Sequence, residues 1–436
     1  MLFQYAGLPD FPCAYAFVPQ MIRCDRTNRD SLIASMFLPY LTIAGYRTKE
    51  NCMDSAIRII DADNVASIDW PSNEEADHTR KYVVPLIENG PLFYMDNAHV
   101  TVTGIMVDDI LMPLVLAERN YNDSNVCSIY THYVKYALEK IDKLDNRFLA
   151  WLIKACSLPF AMVMKAGRVD KVIYVNNWLF TTNPSPALSA RQVEAVTSVL
   201  THKYPGHAIV FRSVNTCTGG KLFDSLHNNG YRMIRSRRIY ILNPASKAYL
   251  KNKTVRYDRN LSGRMGYEVI DASQLTASDV PLLTKLYRNL YLQKHSSFNP
   301  QLKDAFFHLI LKERILEITV LRKDGRIDSF SSFYSNKKVM ISGVGGYNTE
   351  MPLKVGLNRQ DFSAVMDEAK KRKQLLNLSA GSGLFKTLRG AEPCIEYDAV
   401  YDKHLTCRQR IAWFCLKFIM DMWQYAASFL FRKRKP

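Results

Sequence analysis

Glu317-Ile318-Thr319-Val320-Leu321-Arg322-Lys323-Asp324-Gly325-Arg326-Ile327-Asp328-Ser329-Phe330-Ser331-Ser332-Phe333-Tyr334-Ser335 decides how the second half of this chain folds. Two runs with the makeup of strands, Glu317–Arg322 and Ile327–Ser335, flank Lys323-Asp324-Gly325-Arg326. Asp-Gly accepts the positive φ angles of a tight turn, so the runs predict two adjacent antiparallel strands. Downstream, Lys338–Val344 reads as a third strand, Gln360–Lys371 as a helix, and Leu375–Ser379 as a short strand. Gly383–Arg389 then reads as a helical turn and Glu396–Tyr401 as a last strand. Upstream lie two helices, Ala277–Gln293 and Pro300–Glu313. Helices interleaved with strands in this way predict an α/β chain on a mixed α+β sheet.

The first half repeats that grammar. His99–Val107 and Ile110–Leu116 make a hairpin across Asp108-Asp109. Ile129–Leu144 and Phe148–Met164 read as helices, the second bent near Pro159. Val169–Val175 is a buried strand, and Ser189–Thr201 a helix with Ser189 as N-cap. His207–Ser213, Gly220–Asn228 and Arg238–Leu242 follow as strand, helix and strand. Residues 1–98 are less patterned: Ser55–Ile60 and Tyr82–Leu86 read as strand-like runs and Pro71–Arg80 as a loop. The expected division is an N-terminal segment of the first unit (1–98), a first unit (99–242), a linker (243–269), a second unit (270–405) and a basic amphipathic helix (406–436).

A chain of 436 residues, 47% hydrophobic and 23% charged, is a folded protein of two or so domains. The net charge of +17 favours phosphate-bearing partners: nucleic acid, anionic lipid, coenzyme A or charged tRNA. Nine scattered cysteines, none in a C-x-x-C pair, and no leader-like pattern before Cys13 predict free thiols in a reducing cytoplasm. No metal-ligand spacing is visible.

Four motifs fall in order along the second half: Leu286–Pro300, Gly345-Gly346-Tyr347-Asn348 after a strand, Gly356-Leu357-Asn358-Arg359 before a helix, and Leu378–Lys386 with Arg389–Pro393. This set resembles the catalytic half of FemAB-like acyltransferases of the GNAT superfold. Residues 277–405 carry the resemblance. Residues 99–242 follow it loosely, through Asn176-Asn177-Trp178, Phe211-Arg212-Ser213 and Gly230-Tyr231, as a degenerate first unit. The resemblance implies tandem GNAT-like units and transfer of an acyl group from a thioester donor to an amine. Acyl-CoA or another acyl thioester would be a co-substrate, with no tightly bound cofactor. The usual pyrophosphate loop has only Gly356 in place, and FemAB-like relatives draw on aminoacyl-tRNA instead.

Acyl transfer needs positioned reactants, a donor to the carbonyl oxygen and a route for the amine proton. Gly345, Gly346, Gly356, Arg359, Lys386 and Arg389 are the donor-binding candidates, since glycine turns and cations suit a phosphate-bearing donor. His295, Ser296 and Asn299, on a loop between helices, are the acceptor-binding candidates. Glu396, Tyr397 and Tyr401 are the proton handlers. Glu396 and Tyr397 alternate in one strand, so only one of the two faces a cleft. Cys394 has no histidine near it in sequence to make it a nucleophile.

Ile411–Phe431 carries one polar stripe, on which Lys417, Asp421, Gln424 and Ser428 lie, and ends in Arg432-Lys433-Arg434-Lys435. Residues 408–436 are therefore expected either to lie on an anionic membrane surface or to pack on the fold. Three functions follow: an N-acyltransferase acting on a lipid-linked or amphipathic amine, a tRNA-dependent aminoacyl transferase, or an inactive GNAT-like adaptor for membrane or nucleic acid. The expected location is the cytoplasm, at the inner face of the membrane if the helix binds lipid.

Overall fold

The computed structural model describes residues 55–142 and 146–432. The first half comprises β1 (Ile57–Ile60), α1 (Glu74–Asn89), β2 (Thr101–Val107), β3 (Ile110–Ala117), α2 (Tyr136–Asp142), α3 (Arg147–Ala166), β4 (Val172–Val175), α4 (Ala190–Lys203), β5 (Ala208–Asn215), α5 (Thr216–Asn228) and β6 (Arg232–Leu242). Three short helices follow: α6 (Lys247–Leu250), α7 (Lys253–Arg259) and α8 (Leu261–Met265). The second half comprises β7 (Glu268–Asp271), α9 (Val280–Arg288), α10 (Asp304–Lys312), β8 (Glu317–Lys323), β9 (Arg326–Ser335), β10 (Val339–Tyr347), α11 (Leu357–Arg372), β11 (Leu375–Ala380), α12 (Gly383–Thr387), β12 (Glu392–Tyr401) and α13 (Cys407–Arg432).

All twelve strands form one sheet, in the order β1-β2-β3-β4-β5-β12-β6-β11-β10-β9-β8-β7. Exchanging each of β1–β6 with its counterpart six strands later reproduces this order in reverse. The sheet is therefore two copies of one six-stranded unit about a pseudo-two-fold at the β6–β12 pair. Each unit has a single parallel pair, β4–β5 and β10–β11, among otherwise antiparallel neighbours. The last strand of each unit is exchanged: β12 lies between β5 and β6, and β6 between β12 and β11. This is the tandem mixed α+β architecture, with a strand exchange that local sequence pattern does not encode.

Helices cover both faces of the sheet. One core layer runs under both units and includes Val115, Tyr174, Val210, Val320 and Phe330 with Leu283, Phe307 and Trp413. The opposite face has separate cores, under α4 and α5 in the first unit and under α11 in the second. The Asp-Gly turn forms as expected, with Asp324 at φ 50° and Gly325 at φ 74°. Ser189 caps α4 in a reciprocal capping box with Gln192.

Two segments differ from the sequence reading. Pro71–Arg80 and Tyr82–Leu86, expected as loop and strand, belong mostly to α1, capped by Asn73, which accepts from Ala76 N–H. Its buried residues Ala76, Thr79, Val83 and Leu86 recur every three or four positions, the helical period. Residues 243–269, expected as a linker, are α6–α8 and the start of β7. Tyr249, Val255 and Leu261 are buried there, so the basic surface hides a packed edge. Residues 1–54, in the expected N-terminal segment, lie outside the described residues.

Candidate active site

Each parallel pair marks a place where two strands part. In the first unit β4 pairs with β5 only over Val172–Val175. The chain beyond β4 then closes the gap itself. Trp178 is buried and stacks on Tyr82 with ring centroids 5.0 Å apart. Trp178 N–H donates to Asn183 Oδ1 at 3.1 Å, and Asn183 N–H donates to Ser213 Oγ of β5 at 3.0 Å. A loop of buried side chains thus bridges the two strands.

The second unit is built differently at the same position. β10 pairs with β11 only over Val339–Ile341 and continues as Ser342-Gly343-Val344-Gly345-Gly346-Tyr347 beside β9. Three of those six residues have no side chain. A bulge interrupts the β9–β10 ladder between Ser342 and Gly345, where Ser332 Oγ donates to Val344 O at 2.6 Å. A bulge leaves one residue outside the ladder and re-aims its backbone groups. Gly346 is fixed by packing: a Cβ there would stand 2.5 Å from the carbonyl carbon of Leu286 and 2.6 Å from the nitrogen of Tyr287, in α9.

Behind this strand lies a carboxyl that sequence pattern did not single out. Asp361 on α11 is buried, and burial raises its pKa to about 7. Its Oδ2 meets Ser329 Oγ, which is also 3.1 Å from Gly346 O. A serine has one proton to give. A protonated Asp361 donating to Ser329, which donates to Gly346 O, satisfies the chain.

The proton-handler candidates separate. Glu396 is 1% exposed at the pseudo-two-fold. Arg237 Nε donates to its Oε1 at 2.8 Å, while its Oε2 has no hydrogen-bond partner among the described residues. Burial raises the Glu396 pKa against the pull of Arg237. Arg237 also donates to Thr182 Oγ1 at 3.0 Å, and Thr182 Oγ1 lies 2.8 Å from Ser379 Oγ on β11. A polar chain therefore runs from Glu396 to β11, which borders the gap where β10 and β11 cease to pair. Two residues along β12, Asp398 accepts from Tyr133 O–H at 2.9 Å, and burial raises its pKa too. Tyr397 points to the other face, edge-on to Phe223 at 5.4 Å, and Tyr401 packs on Tyr231 at 5.3 Å. Neither tyrosine joins Glu396.

The cationic donor candidates are engaged with the protein. Arg389 is buried and grips Asp258 Oδ2 through Nε at 2.8 Å and Nη2 at 2.5 Å. Arg359 Nη1 stands 3.9 Å from Asp258 Oδ1. Asp258 is the sole acid in the basic run Lys247–Arg264, the one sequence signal that could have marked it. Lys386 is buried, and its Nζ donates to the carbonyls of Leu378, Ser379 and Ala380 at 2.7, 3.2 and 2.8 Å. Gly356 takes φ 69° and precedes α11, and a Cβ there would sit 2.7 Å from Arg359 Nη2. Gly345 and Gly346 lie on β10 beyond its pairing with β11, and the other four candidates cluster around α7, α11 and α12.

The acceptor candidates hold the units together. Ser296 Oγ donates to Glu139, and Asn299 accepts from Asn125 Nδ2 at 3.1 Å and, through its carbonyl, from Asn97 Nδ2 at 3.0 Å. His295 packs beside Tyr291 with centroids 6.0 Å apart. Expected free thiols give way at one place: Cys217, in the first turn of α5, and Cys394 of β12 form a disulfide across 177 residues. Cys127, Cys407 and Cys415 are free.

No family model and no curated protein matches this sequence. Among solved structures the chain is similar to FemX, at 10% identity over 74% of this chain and 91% of that one, with TM-score 0.45. It is also similar to a tandem GNAT protein from the clavulanic acid biosynthesis pathway, at 10% identity, 79% and 98% coverage and TM-score 0.34. L-PGS from Bacillus licheniformis aligns at 13% identity, with 52% and 78% coverage and TM-score 0.38.

Proposed function

We propose that the chain moves an acyl or aminoacyl group to an amine in the gap between β10 and β11. The observation that carries this reading is the contrast between the units. The repeat is the same, yet the first gap is bridged by Asn176–Asn183 and the second is bordered by a bulged strand without side chains at Gly343, Gly345 and Gly346. The bulge between Ser342 and Gly345 re-aims backbone groups of that strand, and a backbone N–H released there is the group that would stabilise developing negative charge on a donor carbonyl. The amine attacks the carbonyl carbon, the leaving thiolate or ribose oxygen departs, and the amine proton passes to a base. Glu396, its pKa raised by burial, is that base and takes the proton on Oε2, the oxygen without a partner among the described residues, because Arg237 on its other oxygen donates and does not relay a proton.

One observation favours a charged tRNA over coenzyme A as donor. Arg389 is tied to Asp258, and the single glycine before α11 is crowded by Arg359, so the turn before that helix is not a glycine-rich cradle for a pyrophosphate. Both donors are cytoplasmic molecules, and the reading places the chain in that compartment. The Cys217–Cys394 bond opposes this placement, because cytosolic disulfides are rare. The acceptor in this reading is an amine on an amphipathic or lipid-linked molecule.

The test is a transfer assay with labelled acyl-CoA and labelled aminoacyl-tRNA pools and a panel of amines, run on the native chain and Glu396→Gln. Transfer by the native chain, lowered about 100-fold or more in the variant, supports the reading. Equal rates in the two remove Glu396 as base. No transfer with any donor, by a folded protein that binds neither, returns the chain to the inactive-adaptor reading.

A further inference from the structure

Helices are added to the strand pattern at two places that meet in space. The β3–β4 connection of the first unit carries α2 and α3, whereas the equivalent β9–β10 connection is the short turn Asn336–Lys338. After the last strand comes α13. These two additions pack against each other. A methyl at Gly167, just past α3, would fall 2.2 Å from Ala412 Cβ, so the helices touch almost backbone to backbone there. Ala161 and Met164 of one and Ala412, Trp413 and Leu416 of the other enter the same core layer. Their outer faces therefore look away from the sheet side by side.

Those outer faces are apolar. On α3, Phe148 (71% exposed), Trp151 (63%), Leu158 and Met162 recur at steps of three, seven and four, which is one helical face. On α13, Ile411, Phe414 (56%), Phe418 and Met422 recur at steps of three, four and four. With Ile419, these two helices hold nine of the eighteen large apolar side chains exposed among the described residues. A concentration of this kind on one side of a molecule marks a contact surface.

The charge around it says which contact. α3 contains Arg147, Lys154 and Lys165 and no acid. α13 contains Arg408, Arg410, Lys417 and Arg432 with one acid, Asp421, which is paired to Lys417 and Arg235. The sequence runs on through Lys433-Arg434-Lys435. Among the described residues no helix is long and apolar enough to cross a membrane. Paired apolar stripes with aromatic residues and a cationic surround suit a helix pair lying in the plane of an anionic bilayer surface.

We infer that α3 and α13 together form one docking face for an anionic lipid bilayer, with Phe148 and Trp151 of α3 inserting beside the apolar stripe of α13. The inference does not rest on the transfer reading. It extends the surface beyond residues 408–436 to a helix in the middle of the chain. It would also fix the orientation of the sheet over the membrane, because two helices define a plane where one defines a line.

The test is co-sedimentation of the full chain with vesicles of phosphatidylcholine alone and with phosphatidylglycerol added. Variants are Phe148→Ser/Trp151→Ser and Phe414→Ser/Phe418→Ser, all at exposed positions, with circular dichroism and melting curves confirming the fold. The native chain should bind the anionic vesicles and leave the neutral ones, and each double variant should bind about tenfold or more weakly. Depth-dependent quenching by brominated lipid should reach Trp151 fluorescence in the native chain and fall in Trp151→Ser. Three results would overturn the inference: no binding of the native chain, unchanged binding of the α3 variant, or a native dimer that the same substitutions dissociate without any effect on vesicles.

Discussion

Arg389 was a candidate for holding an anionic donor, and the structure gives it a different task that can be measured. Its side chain is 5% exposed and grips Asp258, itself 1% exposed, with two charge-assisted hydrogen bonds. Removing the arginine by Arg389→Met leaves the buried carboxylate with Arg359 Nη1 at 3.9 Å as its nearest cation among the described partners. Stranding one member of a buried ion pair costs roughly 3–5 kcal/mol, more than the net worth of the intact pair, because the orphaned charge keeps its desolvation penalty. Asp258→Asn in the Arg389→Met background removes that charge at similar volume, and should recover about 2 kcal/mol or more of the loss. The assay is urea unfolding of the native chain, both single variants and the double variant, read as a thermodynamic cycle. Donor binding is then measured on each folded variant. The account expects a strong favourable coupling between the two residues and donor affinity within about threefold of native. A destabilisation below about 1 kcal/mol in Arg389→Met, or a large loss of donor affinity in a variant of native stability, would refute the reasoning.

Asp361 and Asp170 are both held by burial near pKa 7, above the ordinary 3.8. An acid with a raised folded pKa binds its proton more tightly when folded, so its contribution is fully present below about pH 4 and is lost as pH rises through about 7. Each adds a slope of up to about 1.4 kcal/mol per pH unit in that window, and Asp361→Asn should remove one such slope from urea midpoints compared at pH 5 and 7.5. Identical slopes in variant and native chain would mean that Asp361 is already ionised at pH 5. The Cys217–Cys394 bond closes a loop of 177 residues, and Cys217→Ser should cost about 2–4 kcal/mol under oxidising conditions and nothing once the native chain is reduced. Equal stability of variant and oxidised native chain would show that the bond does not form in solution.

The second unit was legible because its signals are local. Asp324-Gly325 announces a hairpin by its own φ preferences, and Gly345-Gly346 announces a strand that something approaches closely. The tandem repeat was legible from element order, but the exchange of β6 and β12 was not, because each strand looks the same whichever neighbour it pairs with. α1 was misread because Tyr82, Val83 and Leu86 alone suit a strand, and only Ala76 and Thr79 before them restore the helical period. The site was half visible. Glu396 stood out as an acid in a buried strand, while its partner Arg237 lies 159 residues away. Lys386 and Arg389 looked like anion ligands because a sequence displays their charge and hides the carbonyls and the carboxylate that absorb it. Asp361 carried no signal: one acid on a long helix becomes chemical only when the fold buries it beside Ser329.

The central claim is that donor chemistry takes place in the second gap and not in the first. Amide hydrogen exchange of the native chain, with and without a non-hydrolysable aminoacyl-tRNA acceptor-stem analogue or acyl-CoA analogue, tests it most directly. The account predicts slowed exchange at Ser342–Tyr347 and Ser379–Gly383 and no change at Asn176–Asn183. Protection at Asn176–Asn183, or saturable binding that leaves Ser342–Tyr347 untouched, would contradict it.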